Sequence, residues 1–249
     1  MARNAPLSLA GLILTAASIV LLFFIILPGV SHTSPLKQTY FLRADTSGIT
    51  GARDVTQWTY FYFCGEGNQD CGKARPAPAF GKAWSSNPDN APHQLVGGKG
   101  GHTTSNKFWY LWRFGWVLIL ITLFFEILAF FSGFLACCGR LGSAISGLTS
   151  TVALFFSTVA MSLMTATFVL ARDAFHSDNR SAKIGPYAFG FAWASWAALF
   201  LATMLYCLGM RGDKHNTASG DRSRGWGVRR NRSVRSHTYD GRRVKDDYS

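Results

Sequence analysis

Charge is what long parts of this chain lack. From Leu141 to Ala171 there is no Asp, Glu, Lys or Arg, and three further apolar stretches lie within 7–30, 109–136 and 187–210. With 48% hydrophobic and only 15% charged residues, the chain has too little charge to solvate the surface of an ordinary water-soluble domain. Reactive constellations are missing as well. There is no Gly-rich phosphate loop, nucleophile elbow, catalytic carboxylate pair or metal-ligand cluster, and the six His are scattered without ligand spacing. An enzymatic reaction therefore has no residues to rest on, and no cofactor or metal is expected.

What is present is enough apolar length for four membrane crossings. A helix rises about 1.5 Å per residue, so about 20 apolar residues cross the hydrocarbon layer. Backbone amides in lipid must bond within their own segment, and short alternating barrel strands are absent, so each stretch reads as a helix. The fold class is all-α membrane, a four-helix transmembrane bundle with a small disulfide-bonded extracellular β-sheet in the first loop. The expected order is a cytosolic N-terminus (1–6), spans at 7–30, 109–136, 145–171 and 187–210, an outer loop (31–108), a cytosolic turn (137–144), a second outer loop (172–186) and a cytosolic tail (211–249). The first stretch, Leu7 to Leu27, exceeds a signal-peptide core and lacks a clear cleavage pattern, so it is expected to be retained.

Orientation follows from Lys and Arg near the spans. Arg3, Arg140 and six basic residues from Arg211 to Arg230 oppose Arg172, Arg180 and Lys183, so both termini are expected in the cytoplasm. The cysteines agree, because disulfides persist on the oxidising face. Cys64 and Cys71 fall in the large outer loop, while Cys137, Cys138 and Cys207 fall near inner ends. A Cys64–Cys71 disulfide across a flexible polar turn is expected; metal binding by two thiols is the rival reading. Runs at 38–43 and 57–64 read as two strands, the second with Trp58, Tyr60, Tyr62 and Cys64 on one face. The rest of that loop is rich in Pro and Gly and reads as irregular.

Several side chains invite roles beyond packing. Trp109, Tyr110, Trp112 and Trp116 read as a headgroup-level belt, and Trp193 and Trp196 as bundle packing. Ser146, Ser150, Ser157, Thr158 and Ser162, together with Gly190, Ala194, Ala198 and Ala202, are expected to line the interior, or alternatively a contact between copies. Glu126 is the one acidic residue within a span; charged burial is costly, so it is expected protonated or bonded, with Ser157 or Thr158 as partners. It is either an interhelical hydrogen bond or the centre of a transport or sensing site. Cys137 and Cys138 are candidate palmitoylation sites, and Asn179 heads a glycosylation sequon.

The 39-residue end, with eleven Lys or Arg against five Asp, reads as disordered and basic. Arg222, Arg224, Arg229, Arg230, Arg232 and Arg235 are expected to meet anionic inner-leaflet lipids rather than nucleic acid, and Ser233 is a candidate phosphorylation switch for that contact.

The stretch Tyr40 to Ile49, containing Asp45, Ser47 and Gly48, followed by Arg53 and the Trp58 to Cys64 run, resembles the first-loop signature of the fungal Sur-seven/PalI family. That family comprises claudin-like four-span plasma-membrane proteins, and Trp58, Cys64 and Cys71 match its tryptophan and cysteine pair. The resemblance implies cortical patches of eisosome type, with eisosome or cortical proteins as partners, and links to endocytosis, cell-wall integrity, stress or sporulation; self-association is the expectation that goes with the small-residue faces as a contact between copies. The short basic tail departs from the long low-complexity tail of the PalI branch, an accessory of ambient-pH signalling. That branch, and a transporter or channel using Glu126, are the alternatives.

Overall fold

The computed structural model describes residues 5–31, 33–136 and 140–209. Among them are four long apolar helices, Ala5–Ile26, Asn106–Ala136, Arg140–Ser177 and Pro186–Gly209, each long and apolar enough to cross a membrane. The second and third have 31 and 38 residues, so at 1.5 Å per residue they run roughly 46 and 57 Å. Both exceed the ~30 Å hydrocarbon layer. The third continues past 171 as far as Ser177. The third helix outruns its expected 145–171 at both ends, and it packs against β1 and β4.

Inside the bundle the buried residues recur every three or four positions, the spacing of one helix face. The first helix buries Ser8, Leu12, Thr15, Ser18, Leu22 and Ile25; the fourth buries Ala188, Ala192, Ser195, Leu199, Ala202 and Tyr206. Close approach needs glycine at a few points. A Cβ on Gly115 would lie 2.9 Å from Met164 Sδ, and one on Gly11 would lie 2.9 Å from the ring of Tyr206. The expected interior stripe on the fourth helix is corrected by this register: Gly190 and Ala194 are exposed, and of that set only Ala202 is fully buried. On the third helix Ser146, Ser150 and Ser157 are buried, but Thr158 and Ser162 are exposed. Four-residue spacing identifies a face without fixing which way it points.

The cap is a four-stranded antiparallel sheet in the order β3-β2-β1-β4, formed by β1 Leu42–Asp45, β2 Val55–Trp58, β3 Phe63–Cys64 and β4 Ala182–Ile184. Two strands were expected. The run 57–64 is instead folded back, because Thr59 N and Oγ1 donate to Tyr62 O at 3.0 Å, and its two-face alternation fails there. Tyr62 is only half-buried, and Phe63 is buried with Trp58, Tyr60 and Cys64. The run 38–43 begins in a 3-10 turn, Leu36–Gln38, before β1. The fourth strand comes from the short connection after Ser177 and pairs Leu42 with Ile184.

Aromatic side chains fuse cap and bundle. Phe41 stacks on Phe168 of the third helix at 5.0 Å, and Trp112 meets Phe168 edge-on at 5.0 Å. Tyr60 stacks on Trp116 at 5.1 Å; its hydroxyl donates to Trp116 O at 2.7 Å while Trp116 Nε1 donates to Tyr60 O at 3.1 Å. Trp112 and Trp116 are therefore core residues and not a headgroup belt, whereas Tyr110 stays half exposed. Trp193 is 41% exposed and meets Trp196 edge-on at 5.9 Å, and Trp196 Nε1 donates to Thr158 Oγ1 of the third helix at 2.9 Å. The irregular stretch between the sheet and the second helix is held by buried Phe80, Trp84 and Leu95.

Candidate functional site

The connection from β1 to β2 gathers the motif residues. Asp45 Oδ1 accepts from Ser47 N at 2.9 Å and from Ser47 Oγ at 2.6 Å, a side-chain turn that releases the chain from the strand. These two bonds, the hydroxyl first, hold the Asp45 carboxyl below the usual carboxylate range, with a smaller contribution from Arg180. Gly48 has φ +70°, a backbone that favours glycine. Thr46 Oγ1 donates to Arg53 O at 2.6 Å and lies 2.8 Å from Thr56 Oγ1, closing the connection from inside.

Arg53 carries the connection to the disulfide. Its Nε donates to Asp70 Oδ2 at 3.0 Å and its Nη1 to Phe63 O at 3.0 Å. Cys64 and Cys71 are joined in a disulfide. The intervening residues, read as a flexible turn, are pinned by Asn68, whose Nδ2 donates to Leu36 O at 2.9 Å and Thr39 O at 2.8 Å and whose N donates to Gln57 Oε1 at 2.9 Å. Trp58 is fully buried, stacks on Phe80 at 5.0 Å and donates Nε1 to Phe80 O at 3.1 Å.

Arg180 is the residue that sequence reasoning missed. From the connection between the third and fourth helices, its Nη1 donates to Ser47 O at 2.7 Å and its Nη2 to Asn90 O at 3.0 Å. It thereby clasps three loops, and no local pattern could reveal acceptors 133 and 90 positions away. Asn179 beside it is exposed.

Deep in the bundle, Glu126 is fully buried, but its partner is not the one expected. Ser18 Oγ on the first helix donates to Glu126 Oε1 at 3.1 Å and also lies 3.0 Å from Ser195 O and 2.9 Å from Ser195 Oγ on the fourth. One hydroxyl thus links three helices. Ser157 Oγ is buried without a hydrogen bond, and Thr158 Oγ1 accepts from Trp196 Nε1 at 2.9 Å. Matching depth suggested Ser157 and Thr158, but the direction a side chain points around its helix decides the contact. Among the described residues no group of His, Cys, Asp and Glu is placed to hold a metal. Cys137, Cys138, Arg222, Arg224, Arg229, Arg230, Arg232, Arg235 and Ser233 lie outside the described residues.

A motif turn bound to a disulfide hairpin over an aromatic-capped four-helix bundle coincides with the match of the SUR7/PalI family model over residues 7–205. The chain belongs to the SUR7/PalI family. It is 34% identical over 198 residues to SUR7 family protein FMP45 of Saccharomyces cerevisiae, covering 74% of this chain and 62% of the relative. It is 33% identical over 203 residues to Protein SUR7 of Candida albicans, covering 78% and 70%. A further S. cerevisiae relative, 31% identical over 210 residues with 82% and 68% covered, is named only as an uncharacterized plasma membrane protein. The chain spans about three fifths of the length of FMP45, at 62%. Family membership and the four apolar helices make this SUR7/PalI protein a multi-pass plasma-membrane protein in contact with the lipid bilayer.

Proposed function

We propose that this SUR7/PalI protein is a non-enzymatic organiser of plasma-membrane domains of eisosome type, acting by lateral packing. The observation that carries the reading is that three polar side chains of the motif are engaged within the cap. The Asp45 carboxylate, the Arg53 guanidinium and the Trp58 indole each bond within the cap, which leaves them structural work and no substrate to meet. In this reading the cap faces outward, both termini lie in the cytoplasm, and the basic tail holds anionic inner-leaflet lipids and cortical proteins. Glu126 serves as an interhelical bond. Asn179 is open to glycan attachment, and acyl chains on Cys137 and Cys138 with phosphorylation of Ser233 would tune membrane contact.

Imaging of a fluorescent fusion tests the proposal: immobile cortical patches that disperse when the eisosome lattice is removed are expected, and uniform mobile fluorescence in intact cells rules it out. Protease applied to intact cells is expected to spare everything beyond Met210.

A further inference from the structure

The face of the sheet turned away from the aromatic core carries an unbalanced set of cations. Alternation along β1 buries Leu42 and Ala44 and leaves Arg43 half exposed on the other side. The strand register sets Arg43 opposite Lys183 of β4, and like charges directly opposite one another repel. Among the described residues, Arg43 spends only Nη2 on an ion pair, with the exposed Glu66, while Lys183 and Lys37 make none. Asp45, on the same side of β1 as Arg43, is already bonded to Ser47.

Beside Arg43 lies a depression of about 280 Å³ whose lining includes Lys37, Tyr40, Arg43, Glu66, Pro186 and Tyr187. Lys37 reaches into it over Gly67, where an added Cβ would stand 3.8 Å from the lysine Cε. Its position defines its occupant. Pro186 and Tyr187 open the fourth apolar helix, and Tyr187 is 46% exposed. Amphipathic rings at helix ends sit at headgroup level, so two cations beside Tyr187 face the depth of lipid phosphates.

We propose that Lys37 and Arg43 bind the phosphate of a phospholipid headgroup in this depression, fastening the cap to the bilayer surface. A lysine and an arginine supply a point charge and a planar fork of donors, the pair of geometries that phosphate oxygens accept. The site needs only that the four helices span the membrane; it is independent of which way the cap faces and of eisosome association.

The full chain, reconstituted in nanodiscs of phosphatidylcholine with an anionic phospholipid whose headgroup bears a photoreactive diazirine, supplies the test. Peptide mapping after illumination is expected to find adducts within 37–43 and 183–187, reduced about tenfold in Lys37→Gln/Arg43→Gln while adducts in the 211–249 tail stay constant. Should the double variant misfold, Lys37→Gln alone alters one exposed side chain and is expected to lose about threefold. Adducts confined to the tail, or unchanged by either variant, overturn the site. Loss of labelling on adding excess inorganic phosphate alone would assign the depression to a soluble anion and also overturn it.

Discussion

In the cap, the largest fully buried side chains are aromatic, among them Trp58, Tyr60, Phe41 and Phe80, and a disulfide ties its smallest hairpin. In the middle of the bundle the buried positions are mostly small or weakly polar, such as Ser18, Ala153, Ser157, Ala160 and Ser195. Water explains the contrast. Outside the lipid, burying aromatic surface is itself favourable, whereas apolar helices gain nothing from hiding lipid-like side chains from lipid and associate through close approach and hydrogen bonds instead. The long third helix belongs to both regions, offering Ser157 to one and Phe168 and Phe175 to the other.

Emptying the cap's core gives the strongest test of this contrast. Trp58→Ala removes a fully buried ring and its bond to Phe80 O, a loss of about 3–5 kcal/mol for such truncations. Near-ultraviolet circular dichroism in detergent is expected to lose the cap's signal while far-ultraviolet helicity persists; simultaneous loss of both would mean that the two regions do not differ in kind. Opening the Cys64–Cys71 bridge by replacing both cysteines with Ser is expected to cost about 2–3 kcal/mol, read as a lower midpoint for cap unfolding.

Next comes Gly185→Ala, whose new Cβ would collide with Tyr40 O beside β4. Overpacking of that kind costs about 1–3 kcal/mol, and proteolysis at the 178–186 connection is expected to accelerate. In the bundle, Glu126→Ala is expected to cost about 1–2 kcal/mol and to loosen the first helix, measured by cysteine accessibility at Leu22→Cys, a buried position outside the Ser18 bond, without moving the cap's midpoint.

The smallest effect concerns Asp45, whose carboxyl is held below its ordinary range in the folded cap. A depressed folded pKa contributes stability above the unfolded value of about 4, and loses it as pH falls through the lower folded value. Cap stability is therefore expected to be insensitive to Asp45→Asn at low pH and slightly reduced by it at pH 7.

Which elements could be read in advance depends on the range of the forces that make them. The uncharged run from Leu141 to Ala171 announces a helix because each backbone bond closes within four residues. The Cys64–Cys71 bridge is equally local, seven positions apart. By contrast, β4 exists only because three residues after the third helix meet the free edge of β1, and Arg180 has a role only because that meeting brings Ser47 and Asn90 within reach. Glu126 stood out as a lone acid, but its partner Ser18 lies 108 residues before it, on a helix where nothing nearby marks its depth or direction.

Sequence alone determined the four apolar helices, the two cysteines able to pair and the motif from Tyr40 to Cys64, because hydropathy, loop length and turn chemistry act between neighbours. Tertiary structure decided the fourth strand, the Arg180 clasp, the true partner of Glu126 and the burial of Trp112 and Trp116. Those depend on the direction each helix face points and on how far the second and third helices outrun the lipid, quantities that are fixed only when distant segments pack against one another.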